Sequence, residues 1–295
     1  MIRMQQILCP VDFSEFSRHA VDQAAAIARW YEARLVLLHV FRNASALDLP
    51  PLVMEEQDRA RIMADMRRLT SQLPADLKVD FCVQEASEID REILRQAANA
   101  DLLVIGSHGR SGFSHLLLGS VTEKVIRQAP CPTLVVPRRA PEVSADTPVH
   151  FRSILCPMDF SDGALRALEY AITLAEETDA RLTLLHVIEL PPELREHPVS
   201  GDFDVDKVRA AAEAERLRRL RNLIPPEARI YCRAETAVRE GAAYRGILKE
   251  AAERSADLIV MGVQGRGAID LLVFGSNTAR VVRQATCPVL IVHQP

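Results

Sequence analysis

The residues of this chain whose types and spacing could do chemistry fall in two clusters. One is a glycine-rich stretch: Gly106, Gly109 and, nine intervening residues later, the pair Gly119–Ser120. The other is the tripeptide Pro10–Val11–Asp12. Glycines let backbone N–H groups approach an anion with no Cβ in the way. A helix start at the same point adds free N–H groups and the positive end of the helix dipole. An ionised aspartate only accepts hydrogen bonds, which suits a ribose hydroxyl or the exocyclic amine of a base. Together they suggest a phosphate cradle with a nucleoside-reading carboxylate beside it. The competing reading is that Asp12, or Ser14 next to it, only caps the helix that follows.

Both clusters occur twice. Asp101 to Val136 and Asp257 to Val292 align without gaps and match at 18 of 36 positions, with Gly262, Gly265, Gly275 and Ser276 at identical spacing. ILCPMDFS at 154–161 repeats ILCPVDFS at 7–14, so Asp159 stands where Asp12 stands. Self-similarity on this scale means two copies of one domain. The expected limits are 1–138 for the first, a Pro- and charge-rich linker at 139–150, and 151–295 for the second. A cap explains a repeated aspartate but not a repeated glycine turn. Arg110 and Arg266 follow the second glycine in both copies and could reach a phosphate. Surface arginines would look the same.

The elements that must position these clusters follow from periodicity. Short apolar runs at Ile7–Val11, Leu35–Val40, Val79–Val83, Leu102–Ile105 and Thr133–Val136 read as buried strands. Between them lie helical patterns at about 15–31, 55–73 and 88–98, then from Ser120. Strands alternating with helices predict βαβ units and an α/β fold, a parallel sheet with helices on both faces. In such sheets ligands bind beyond the carboxyl ends of the strands, where strand order reverses. Ser120 with Glu123 three residues on has the pattern of a capping box. In the second copy Ala279 replaces that glutamate, so the first site is expected to bind more tightly. The second copy also carries extra residues around 191–206, and Gly241 stands opposite Glu85.

Composition narrows the function classes. The net charge of −4 gives no support to a nucleic-acid partner. No apolar stretch is long enough to span a bilayer, and the N-terminus lacks a signal-peptide core, so no membrane partner and a cytoplasmic location are expected. The six cysteines read as three repeat pairs, Cys9/Cys156, Cys82/Cys232 and Cys131/Cys287, with no C-x-x-C. Buried free thiols fit better than a metal site.

The glycine pattern, Gly-x2-Gly-x9-Gly-Ser, present twice after the fourth strand, resembles the signature of the universal stress protein family. The resemblance covers nearly the whole chain outside the linker. It implies two tandem Rossmann-like domains of the adenine nucleotide alpha hydrolase-like type, each a five-stranded parallel sheet of order 3-2-1-4-5. It implies ATP as ligand, with Mg2+ as a further expectation. It also implies pairing of the two domains through strand five, with a homodimer of whole chains as a further expectation. Carried over by position, Pro10, Val11, Asp12 and the backbone of Val40 contact adenine and ribose. Gly106, Gly109, Arg110, Gly119, Ser120 and Val121 hold ribose and phosphates. The second copy offers Pro157, Met158, Asp159, Val187, Gly262, Gly265, Arg266, Gly275, Ser276 and Asn277. Val263–Gln264 for Ser107–His108, and Asn277 for Val121, are departures that separate the two sites.

Three functions compete on these residues: a nucleotide-dependent stress or signalling module, a slow ATPase or nucleotidyl or phosphoryl transferase, and a scaffold with vestigial sites. Hydrolysis needs a positioned water, a base and usually a metal. No carboxylate pair repeats near both turns. His39 and His186 repeat at buried strand ends, as packed structural histidines do, and His108 becomes Gln264. The sequence therefore names no catalytic residue and favours binding over turnover.

Overall fold

The computed structural model describes residues 2–43, 54–109, 118–141, 151–189, 205–226, 228, 232–263 and 275–293. Its contacts divide principally into two compact units, one of Ile2–Val149 with Val282–Pro295, the other of His150–Ile269 with Gly275–Val281. The expected extra loop at 191–206 lies almost wholly outside the described residues, as does most of the linker.

In the first unit the order is β1 (Gln6–Pro10), α1 (Glu15–Trp30), β2 (Arg34–Arg42), α2 (Glu56–Leu69), β3 (Val79–Ala86), α3 (Ile89–Ala97), β4 (Leu102–Gly106), α4 (Ser120–Gln128) and β5 (Thr133–Val136). The strands pair in parallel in the order β3-β2-β1-β4-β5. β1, β4 and β5 are mainly apolar, as strands covered on both faces are; Ile7, Leu8, Leu103 and Val104 are buried. Chain 289–292 (β10) lies antiparallel to β5, Leu290 opposite Leu134. β3, half-exposed at the sheet edge, carries Asp80 paired with Arg34 at 3.2 Å. Charge on an edge strand discourages pairing with another chain.

The second unit repeats the plan with β6 (Ser153–Pro157), α5 (Asp162–Thr178), β7 (Arg181–Ile188), α6 (Val205–Leu223), β8 (Arg233–Glu240), α7 (Ala243–Glu253) and β9 (Leu258–Gly262), strand order β8-β7-β6-β9. α8 (Ser276–Gln284) follows. Register corrects two sequence pairings. Leu38 faces Cys82 and its counterpart Leu185 faces Ala237, so Cys82 corresponds to Ala237, while Cys232 precedes β8. Gly241 likewise corresponds to Ala86 rather than Glu85. Between β2 and β4 the offset between the copies changes, and periodicity alone does not resolve where. All six cysteines are free thiols, and five are buried. Burial pushes Cys131 and Cys156 up to about 12, which leaves them protonated and inert.

One buried ion cluster distinguishes the second unit. Glu250 on α7 has a side chain 1 % exposed, between Arg239 at 2.5 Å and Arg254 at 2.5 Å. Arg239 also pairs with Glu253, and Arg254 with Glu235. Burial works to raise the Glu250 carboxyl, but hydrogen bonds from Arg254 and Arg239 outweigh it and hold the group below its usual range. Removing one partner of such a pair strands charge. Glu250→Ala is therefore expected to lower unfolding stability by about 3 kcal/mol, read from urea transitions; a change under about 0.5 kcal/mol would contradict the arrangement.

His293, just beyond β10, lies with Nε2 2.7 Å from the Ile126 carbonyl. Burial lowers its affinity for a proton, partly offset by backbone hydrogen bonding. The unfolded chain then binds the proton more readily, so stability falls as pH drops through about 6.5 and below. His186 acts in the same direction. Urea midpoints measured from pH 7.5 to pH 5.5 should decline, and His293→Gln should flatten part of that decline. A slope identical in the variant would rule this out.

Candidate functional site

The first site is built where β1 and β4 end side by side. β1 continues one residue past the strand, with Val11 N–H donating to Leu38 O at 2.8 Å. The chain then turns at Phe13, whose φ of 65° is left-handed. An aromatic residue there is strained by roughly 1–3 kcal/mol, and the turn is held by its surroundings. Asp12 Oδ1 accepts from the Ser14 N–H at 3.0 Å and from its hydroxyl at 2.6 Å. Ser14, not Asp12, is the helix cap, its Oγ accepting from Ser17 N–H at 3.3 Å. His39 on β2 lies with Nδ1 2.8 Å from Val11 O, and its ring packs on Phe13 at 4.8 Å.

Every one of these contacts recurs. Met158 N–H donates to Leu185 O at 2.7 Å and Phe160 has φ 63°. Asp159 Oδ1 accepts from Ser161 N–H at 3.0 Å and from its hydroxyl at 2.6 Å. Ser161 caps α5 through the Ala164 N–H at 3.2 Å. His186 Nδ1 lies 2.6 Å from Met158 O, with its ring 4.9 Å from Phe160. Burial lowers the His186 pKa, countered by the Met158 carbonyl, and Arg216 lowers it further. A neutral ring donating from Nδ1 holds that carbonyl. The two histidines thus set the backbone that aims each aspartate, a role the sequence signalled only by their repetition.

The glycines do three different jobs. A Cβ at Gly106 would lie 3.0 Å from the Phe16 carbonyl oxygen, and one at Gly262 would lie 2.7 Å from the Gly163 carbonyl carbon. The first glycine therefore lets a helix pack against the end of the fourth strand. At Gly109 a Cβ would fall 2.6 Å from Asp12 Oδ2. This backbone approaches the carboxylate so closely that any other residue displaces it, and it brings the two sequence clusters together. At Gly119 a Cβ would meet Thr122 Oγ1 at 3.4 Å and the Ser107 carbonyl oxygen at 3.5 Å, ordinary contact, so the packing admits a methyl there and glycine serves the turn. Gly119 N–H donates to Ser107 O at 3.0 Å, and Gly275 N–H to Val263 O at 3.1 Å.

The expected capping box is not formed. Gly119 is the cap residue of α4, with no side-chain cap hydrogen bond, and Ser120 is already the first helical residue. Glu123 instead pairs with Arg127 at 2.7 Å and Arg283 at 3.4 Å. A glycine cap offers no oxygen, so no side chain competes for the first N–H groups of the helix. The better cap expected to favour the first site is therefore absent. Sequence reasoning also missed Thr122 and Thr278, whose hydroxyls donate to Gly106 O at 2.9 Å and Gly262 O at 3.2 Å. Both are identical positions of the duplicated stretch, which was the available signal.

Pro10 and Pro157 end β1 and β6, while Val40 and Val187 lie at equivalent places on β2 and β7. Ser120, Val121, Ser276 and Asn277 open α4 and α8, the two serines exposed. Arg110, Gly265 and Arg266 lie outside the described residues. Ser107 Oγ lies 3.0 Å from His108 Nδ1, and the His108 ring packs 5.2 Å from Phe16. Among the described residues no helix is long and apolar enough to cross a membrane.

The chain is similar to known proteins. The sequence pattern of the universal stress protein family matches residues 4–137 and again 150–293. A universal stress protein of Methanocaldococcus jannaschii is 30 % identical over 146 residues, covering 49 % of this chain and 84 % of that protein. One from Mycobacterium tuberculosis is 27 % identical over 308 residues, 98 % of this chain and 97 % of its own. The crystal structure of a universal stress protein from Archaeoglobus fulgidus covers 100 % of this chain and 98 % of its own, with a TM-score of 0.69 at 22 % identity, a likeness of fold. With the family pattern matched twice over almost its full length, the chain belongs to the universal stress protein family as a tandem member.

Proposed function

We propose that each copy binds ATP, accompanied by Mg2+, and that the protein is a nucleotide-dependent stress-response or signalling module acting in the cytoplasm. The observation that carries this reading is the close approach of Gly109 to Asp12, beside an α4 start that no side chain caps. Asp12 and Asp159 would take a ribose hydroxyl or the base amine, with Pro10, Val11 and the Val40 backbone alongside. Pro157, Met158 and Val187 are their counterparts. Gly109, Arg110, Gly119, Ser120 and Val121 would hold the phosphates, as would Gly265, Arg266, Gly275, Ser276 and Asn277. Gly106 and Gly262 contribute through packing.

The reading is of binding without rapid turnover. His39 and His186 each spend one ring nitrogen on a backbone carbonyl beside a strained turn. That supports a structural task and leaves them poorly placed as general bases. The further proposal is that the domains, taken as 1–138 and 151–295, pair through their fifth strands. Its support is the antiparallel ladder of Thr133–Val136 with Val289–Val292.

The test begins with full-length protein purified without added nucleotide, denatured, and analysed for released adenine nucleotide. Titration calorimetry with ATP and magnesium follows. Gly119→Val combined with Gly275→Val should reduce affinity at least tenfold, about 1.4 kcal/mol. Gly119→Ala should leave thermal unfolding unchanged, since its Cβ meets nothing nearer than 3.4 Å. Asp12→Ala should weaken ATP more than tripolyphosphate. Failure of the wild-type chain to bind ATP, or turnover at roughly 1 per second or more, would overturn the reading.

A further inference from the structure

The two copies differ at one position facing the strand end proposed to lie beside the base. Gly246 is the fourth residue of α7, and its N–H donates to Ala242 O at 3.0 Å. Glycine inside a helix costs about 1 kcal/mol relative to alanine, so its presence needs a cause. The cause is Val187. A Cβ at Gly246 would fall 2.8 Å from Val187 Cγ2 and 3.2 Å from Cγ1. The helix lies so close to both methyls of this valine that no side chain fits between them.

The first copy is built otherwise. Ile93 and Ala97 of α3 are buried like Ile247 and Ala251 of α7, which places Glu92 opposite Gly246. The Glu92 side chain is 11 % exposed, bound by Arg95 at 2.6 Å and by Gln96 at 2.9 Å. The Arg95 hydrogen bond holds its carboxyl below the usual range. A full glutamate cannot occupy a gap too small for one carbon, so α3 meets β2 differently from the way α7 meets β7. Val40 is buried and its counterpart Val187 half-buried.

We propose that Gly246 is a positioning residue of the second nucleotide site: its contact with Val187 sets where the β7 backbone stands beside the base, and the first site lacks this device. The inference rests on the nucleotide-binding reading above. It assigns the two sites separate determinants of base recognition within a shared phosphate cradle.

The test uses the full chain with Gly119→Val, so that ATP binding reports the second site. Gly246→Ala in that background should weaken ATP with magnesium at least fivefold. Inorganic tripolyphosphate should bind as before, because the displaced backbone stands beside the base and not the phosphates. Val187→Ala removes the methyls that the new Cβ meets. Added to Gly246→Ala, it should restore ATP affinity to within twofold of Val187→Ala alone, and this pair stays informative where Gly246→Ala alone folds poorly. In a Gly275→Val background, which reports the first site, Gly246→Ala should change nothing. Equal ATP affinity with and without Gly246→Ala, a parallel loss of tripolyphosphate, a first-site loss, or no relief by Val187→Ala would each overturn the proposal. A Gly119→Val parent that binds no ATP would instead refute the second nucleotide site itself, and the positioning role with it.

Discussion

The interaction on which the rest depends is a carboxylate at the far end of the sheet from the site. Asp101 Oδ2 accepts from the backbone N–H groups of Gln5 and Gln6, at 2.7 and 2.9 Å. Asp257 accepts in the same way from Arg152 at 2.7 Å and Ser153 at 3.3 Å. These bonds register the first strand of each copy against the fourth, across about a hundred residues of chain. β1 and β4 share only two paired positions, Ile7 with Leu102 and Leu8 with Leu103. A slip of one residue would turn every β1 side chain to the opposite face. It would also part the Asp12 turn from Gly109, which needs a carboxylate within van der Waals reach of a bare Cα. The fold thus aligns at one end of the strands what the candidate site requires at the other.

Much of this was legible in the residues. Apolar runs with helical patterns between them give the parallel sheet, because strands buried on both faces leave no alternation to misread. Duplication made the two aspartates and the glycine spacing stand out from turns that merely need glycine. Their separate tasks were not legible. Gly106 and Gly109 are alike in sequence, yet one accommodates the Phe16 carbonyl and the other the Asp12 carboxylate. Only the path of a distant helix decides which. The capping box failed for a local reason: Gly119, one residue earlier, takes the cap position, and the Glu123 side chain is drawn to arginines instead. Arg283 among them is 160 residues away in sequence, beyond any local pattern.

Comparison of the copies separates what the site demands from what the scaffold tolerates. The left-handed phenylalanine, the aspartate bound twice to the following serine, the histidine on the preceding carbonyl and the threonine on the first glycine all recur. Each fixes backbone within a few residues of the ends of strands one and four. Away from those ends the chemistry changes freely. Lys124 with Asp90 at 3.3 Å joins α3 to α4, while at the matching place Arg280 stacks on Tyr244 at 4.9 Å. Gln96 gives way to the buried Glu250 with its two arginines.

The strain at Phe13 and Phe160 argues that this division is functional in origin. A left-handed aromatic residue is unfavourable in both copies, and glycine there would relieve it at little steric cost. A scaffold under selection for stability alone would have lost it in at least one copy. Instead each turn is braced by an imidazole packed at a tilt on its phenylalanine, and in the second unit also by Arg219 lying 4.0 Å over Phe160. In the first unit the bracing keeps Asp12 pointed at Gly109 when local backbone preference would let it swing away. A site that must meet a ligand needs that direction, and helix capping, which Ser14 and Ser161 already perform, does not.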